Sequence, residues 1–388
     1  MRVLVVAHGP AHVPWIIPLS WACRLAGHEV RVAARPECVG LVTRSGLPAV
    51  SIGDDDASRT ASAVPVRPAL ARRRAPVPPT REGRPAGLTP EIQAALTAKM
   101  IGIADLVADD LVAFARSWRP DLVLHDTAAA AGLVAAAVTG VPAVGNSWGL
   151  AAGVAVEKPE DVTPEYARLF ERFGVEPLVG PATWIDACPP RLRPDHPVRR
   201  VDMRFVPYGG PGILQDWVGA PRTRPRICVT GGVTTASLEG FLGRTIHAVQ
   251  ELGAEVVVAG HGGEGLPDGV RAVESFPLDV LLPTCDAVVH HGGFGTGMIA
   301  LDAGIPQVVV PQNSAQEHWG DLVESAGAGI SLNDPELPGA AAIGTAVSAV
   351  IGGSGYVSRA RLVQAEIAVM PDPADVVGFL EEHAGEPA

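Results

Sequence analysis

Residues 290–311 read HHGGFGTGMIALDAGIPQVVVP, with two histidines and four glycines in the first eight positions. A β-branched run at 287–290 feeds the glycine turn, and a helical pattern opens near Thr296. Glycines let a backbone come close to a ligand, and a helix N-terminus presents unpaired N–H groups at the positive end of its dipole. The combination predicts a phosphate site, with His291 adding a side-chain donor and Thr296 a hydroxyl. Neither the dinucleotide G-x-G-x-x-G spacing nor a P-loop G-K-[ST] occurs in it. His290 reads as a buried, hydrogen-bonded histidine at the strand end.

Outward from this turn, strand patterns at 226–230, 255–259, 287–290 and 307–310 alternate with helical ones at 238–252, 296–303 and 316–326. An earlier succession has strands at 2–7, 29–34, 121–125 and 142–145, with helices at 18–25 and 128–138. Two such series predict an α/β protein of two doubly wound, Rossmann-like sheets, whose ligands bind at the carboxyl ends of the strands. A chain of 388 residues suits two domains. The Gly- and Pro-rich stretch YGGPGILQDWVGAPRTRPR at 208–226 divides them. The expected organisation is a first domain over 1–207, a linker over 208–225, a second domain over 226–370 and a terminal segment, 371–388, whose helix leans back across the first domain.

The composition, 47% apolar and 19% charged, is that of a globular protein, and no apolar run reaches the roughly 18–20 residues of a membrane span. The start, MRVLVVAHGPAH, reads as a first strand and not as a signal peptide, so a cytoplasmic location is expected. Five cysteines lie far apart without metal spacing and read as buried free thiols. A net charge of −12 argues against a nucleic-acid partner. The segment 57–90 departs from this, with seven arginines, many prolines and Glu82 as its lone acid; it reads as a long inserted loop, either a solvated insertion or a lid. Asp54, Asp55 and Asp56 have no accompanying ligand pattern and read as a solvated turn, not a metal site.

HHGGFGT followed by GIPQVVVPQNSAQ resembles the donor-binding signature of bacterial GT-B glycosyltransferases that decorate natural products. FVPYGG at 205–210, WRPDLVLHD at 118–126, DACPPRL at 186–192 and SFPLDVLLPTC at 275–285 extend the likeness over nearly the whole chain. Its flavour is that of actinomycete transferases that move deoxysugars from dTDP to polyketide aglycones in antibiotic biosynthesis. The resemblance implies the GT-B fold, two domains facing a cleft, and a metal-independent hexosyltransferase. The dTDP-sugar is its co-substrate, a small aglycone its acceptor, and no further cofactor is expected. It implies that His291, Gly293, Gly295 and Thr296 hold the donor diphosphate, that Thr230, Gly231 and Gly232 face the same phosphates, and that Ser275 and Phe276 meet the nucleobase; Phe276 equally reads as core. Gln316 belongs to the sugar-binding corner. His12, in the loop before the first helix, is the expected general base, with His8 as competitor, since an unperturbed imidazole titrates near working pH. Asp126 either orients it or caps the following helix. Trp15 and Trp148 are the expected acceptor walls, with core packing as the alternative for each.

Two positions depart from the family pattern. Where relatives have Asp-Gln, this chain has Ala315-Gln316, and where many UDP-sugar relatives carry a ribose-gripping Glu it has Ile299. Both point to a dTDP-activated deoxysugar, and the expected reaction is transfer with inversion. A sugar-nucleotide epimerase on the same architecture and a non-catalytic auxiliary partner of a transferase are the rival readings; a homodimer is a possible assembly.

Overall fold

Short β-branched runs, buried on both faces, build two parallel sheets, as expected where helices cover each face. The computed structural model describes residues 1–54, 90–147, 159–193, 199–232, 238–333 and 338–384. The basic segment up to residue 89, Asp55, Asp56 and Trp148 lie outside the described residues. The first sheet holds β1 (Arg2–Val6), β2 (Glu29–Ala34), β3 (Ala49–Ser51), β4 (Leu122–Asp126), β5 (Ala143–Ser147), β6 (Thr183–Asp186) and β7 (Arg200–Asp202), in the order β3-β2-β1-β4-β5-β6-β7. The second holds β8 (Arg226–Thr230), β9 (Glu255–Ala259), β10 (Arg271–Val273), β11 (Ala287–His290), β12 (Gln307–Val309) and β13 (Gly329–Ser331), in the order β10-β9-β8-β11-β12-β13. Strand order therefore reverses between β1 and β4 and again between β8 and β11, and at such points the chain leaves the sheet in opposite directions and opens a crevice.

Around the first sheet lie α1 (Val13–Leu25), α2 (Pro36–Arg44), α3 (Pro90–Trp118), α4 (Ala131–Thr139) and α5 (Pro164–Glu171). Around the second lie α6 (Leu238–Glu251), α7 (Leu278–Leu281), α8 (Phe294–Asp302), α9 (Ser314–Ser325), α10 (Ala340–Gly352) and α11 (Ser354–Ala368), and α12 (Pro373–His383) follows. No single helix among the described residues is long and apolar enough to cross a membrane. All five cysteines are free and buried.

Several boundaries differ from the sequence expectation. α1 starts at Val13, five residues before the expected position 18, because Pro14 is tolerated in a first turn, and Pro18 sits inside the helix. α8 starts at Phe294, with Gly293 at its N-cap. α4 starts at Ala131, with Ala130 at its N-cap, so Asp126 is not the helix cap. The strands β3, β6, β7, β10 and β13, of three or four residues each, are too short to print an alternation in the sequence.

α12 crosses back to the first domain. Its Val376, Val377 and Leu380 join Val13, Ile17 and Cys23 in one apolar cluster, and Arg199 Nη2 reaches His383 Nε2 at 3.3 Å. A capping box starts the helix: Asp372 accepts from the Asp375 N–H and Asp375 from the Asp372 N–H. The crossing begins before residue 371, since Glu366 of α11 accepts from the Arg191 N–H and Nε at 2.9 and 3.2 Å.

Candidate active site

At the reversal of the first sheet, β1 and β4 run parallel with Val6 opposite His125, so the loop after β1 and the residue that ends β4 share one edge. His12 stands at the N-cap of α1 and Asp126 ends β4. His12 Nδ1 lies 2.9 Å from Asp126 Oδ1, with side-chain exposures of 21% and 0%. The same Oδ1 accepts the Ala128 N–H at 2.8 Å, which locks the carboxylate in place. A carboxylate accepts, so Nδ1 carries the proton and Nε2 the lone pair. Burial pushes the His12 imidazole down, but the Asp126 charge and hydrogen bond more than offset this and hold it above the usual histidine value. Asp126 is held below the usual carboxylate range: burial pushes it up, and the charge and hydrogen bond of His12 outweigh that. His8 stacks at a tilt on His12 with ring centroids 5.1 Å apart. Burial, with His12 as a further cause, pushes His8 down to about 3, too weak a base for the neutral range.

At the reversal of the second sheet, β8 ends on Thr230 and β11 on His290. His290 is a structural residue, as its sequence context suggested. Its Nδ1 accepts the Gly292 N–H at 3.2 Å, and its Nε2 bonds Gln307 Oε1 at 2.9 Å. His291 is placed between two glycines: a Cβ on Gly232 would meet its ring at 2.4 Å and one on Gly293 at 2.6 Å. These glycines therefore admit an imidazole, a role the sequence reading did not give them. Gly292 has φ +91°, and a Cβ there would come 2.8 Å from the Gln316 carbonyl. His291 Nδ1 is buried and without a hydrogen-bond partner. Burial pushes His291 down to about 4, partly countered by the Thr230 carbonyl, so the ring is neutral near pH 7. The Gly293 carbonyl receives the first full-turn bond of α8, from Gly297, and the N–H groups of Gly295 and Thr296 stand in the turn before it, where a helix offers donors to a ligand. A neutral imidazole has a single N–H; turned from the Thr230 carbonyl to a diphosphate it gives one hydrogen bond, so His291→Ala should weaken dTDP binding by about 1.5–3 kcal/mol. Calorimetry giving an unchanged affinity would remove His291 from the donor site.

The remaining donor candidates are braced or half-buried. Thr230 is buried, and its hydroxyl accepts the Gly232 N–H at 3.2 Å. Gly231 is buried and Ser275 exposed. Phe276 is half-buried against the cluster of Cys228, Val257 and Leu281, which Ile299 of α8 also covers. Gln316 Oε1 accepts the Gln312 N–H at 2.8 Å and its own N–H donates to Asn313 Oδ1 at 3.1 Å, so it ties the turn after β12 to the start of α9.

The two edges meet through Trp15. Its ring centroid is 5.5 Å from Phe294 of α8 and 5.1 Å from Phe205, and a Cβ on Gly295 would lie 3.9 Å from its Nε1. At 8% exposure Trp15 is packing between the halves, with little surface for an acceptor. Of the two readings open for Trp15, acceptor wall or core packing, this burial fits core packing: the first turn of α1 faces the glycine turn, and the indole meets the ring of Phe294. A narrow pocket of about 10 Å³ lies beside His8, lined by Val6, Ala7, Arg35, Ile52, Ile103, Ala104, Val107, Ala128, Ala129 and Ala131. The sequence reading missed its α3 wall, although Ile101, Ala104, Ala108, Leu111 and Ala115 carry a helical period that would have shown it. Among the described residues, no group of three or more His, Cys, Asp and Glu could hold a metal ion.

Residues 21–232 match the N-terminal domain, and residues 243–383 the C-terminal domain, of the family described as erythromycin biosynthesis protein CIII-like. Tylactone mycaminosyltransferase of Streptomyces fradiae is 36% identical over 98% of this chain and 92% of its own length. Among solved structures, glycosyltransferase VinC in complex with dTDP is similar with a TM-score of 0.80 at 30% identity, covering 99% of each chain. Spinosyn rhamnosyltransferase SpnG complexed with spinosyn aglycone has a TM-score of 0.80 at 29% identity, covering 98% of this chain and 100% of its own.

Proposed function

The chain belongs to the erythromycin biosynthesis protein CIII-like family and is a glycosyltransferase of the GT-B fold, and we propose that it transfers a deoxysugar from a dTDP-sugar to an apolar natural-product aglycone with inversion. The observation that carries this is the His12–Asp126 pair at one sheet reversal, joined through Trp15 to the glycine turn at the other. Similar structures solved with dTDP and with spinosyn aglycone support the donor and acceptor classes.

The acceptor hydroxyl gives its proton to His12 Nε2 as its oxygen attacks the anomeric carbon. The dTDP leaves from the opposite face, and a single displacement inverts that carbon. Asp126 stabilises the imidazolium that forms. The charge growing on the leaving diphosphate is met by the first N–H groups of α8 and by His291, which is electrostatic stabilisation in a fixed geometry. The pocket beside His8, about 10 Å³, takes only an edge of the aglycone, whose apolar body lies outside it. An auxiliary subunit would have no use for an assembled donor turn, and the turn here is assembled around His291.

The pH profile tests the base. Protonated His12 cannot accept a proton, so kcat/KM for sugar transfer should rise with pH through an apparent pKa above 6.5 and then level off. Asp126→Asn removes the group that raises His12, so this limb should move to lower pH while the plateau falls. Transfer followed from pH 5 to 9, with product anomers assigned by NMR, checks both points. A limb that stays put in Asp126→Asn would disconnect the pair from the chemistry, and retained configuration would rule out a single displacement.

A further inference from the structure

Arg35 follows β2 at its carboxyl end and is 5% exposed. Its Nε donates to the His8 carbonyl at 3.2 Å, and its Nη2 pairs with Glu37 at 2.5 Å. Its Nη1 is buried and has no hydrogen-bond partner. Native proteins seldom leave such a donor empty, and an arginine has donors only. The residue lines the pocket beside His8, whose other walls are apolar, among them Ile52, Ile103 and Val107. His8 is neutral at working pH and adds no opposing charge. Glu37 already faces Arg35 Nη2, and Asp126 already accepts from His12 Nδ1. What the pocket lacks is an oxygen for Nη1.

We propose that Arg35 is a specificity-determining residue for the acceptor: its Nη1 holds a carbonyl or ionisable hydroxyl oxygen carried on the edge of an apolar aglycone. The planar fork suits such an oxygen better than a lysine ammonium would. The narrow pocket then takes the oxygen while the ring body stays outside it, and the bond to Arg35 sets which hydroxyl turns toward His12. This rests on the glycosyltransferase reading above.

The test uses three tricyclic probes, 2-hydroxyanthraquinone, anthraquinone and 2-hydroxyanthracene, with binding followed by fluorescence and dTDP affinity measured on the same samples. Wild type should bind the hydroxyquinone at least tenfold more tightly than 2-hydroxyanthracene. Arg35→Met should abolish that preference while its binding of 2-hydroxyanthracene and of dTDP stays at the wild-type level. Arg35→Lys should retain part of the preference, and it carries the comparison if Arg35→Met does not fold. Anthraquinone separates the two oxygen sources: it keeps the advantage if the carbonyl is held and loses it if the ionised hydroxyl is. Equal binding of the probes by wild type, including no binding of any, would overturn the proposal, as would a preference that survives in Arg35→Met. Absence of dTDP binding in wild type would instead bring down the donor reading on which it rests.

Discussion

His12→Ala should lower kcat by roughly 10²–10⁴-fold, the range for removing a general base, while dTDP affinity stays at the wild-type value. The separation of the two effects follows from the structure. His12 belongs to the first sheet's edge and is held by Asp126, whereas the donor turn is built from β8, β11 and α8. Alanine leaves Asp126 buried with its Ala128 bond intact, so the turn after β4 keeps its form. Single-turnover rates with saturating donor, beside calorimetry with dTDP, decide the matter. Full turnover would eliminate His12 as the base. His8 is then the next residue to replace, although burial holds it down at about 3.

Nucleotide choice is the second large effect expected. Ile299 is half-buried on α8 and packs, with Phe276, over the second domain's apolar cluster. An isoleucine cannot accept hydrogen bonds from a ribose, so a 2′-OH buried against it loses its partner, at about 1–3 kcal/mol. A buried thymine methyl adds roughly 0.8 kcal/mol. Together these favour dTDP over UDP by roughly 10–10³-fold. Ile299→Glu should shrink or reverse the gap by supplying an acceptor for both hydroxyls. Competition binding of the two nucleotides is the measurement. Equal affinities would sink the dTDP assignment and leave the glycosyltransferase intact.

Much of the fold was legible because two sheets of β-branched strands, each followed by a helix, print a pattern over long stretches. The glycine turn that opens α8 was legible for a related reason: glycines and histidines packed into eight residues have few structural explanations. Pairing His12 with Asp126 came from the family likeness, since 114 residues separate them and only the parallel register of β1 and β4 brings them together. Other features had no local signature. Gly232 and Gly293 make room for a ring that is remote from Gly232 in sequence, and Trp15 gives no local sign that an aromatic from the other domain will cover it. Arg35 looks like any polar residue after a strand; its burial depends on α3 closing over the pocket.

The return of α12 to the first domain bears on how the chain is made. A ribosome releases the first sheet early, and domains usually fold in that order. Here the cluster under α1 includes Val376, Val377 and Leu380, which are synthesised after the whole second domain. The second domain, continuous from β8 through α10, has its strands and helices complete before α12 emerges. The first domain must therefore wait with an open apolar groove along α1 until α12, made after the whole second domain, closes it.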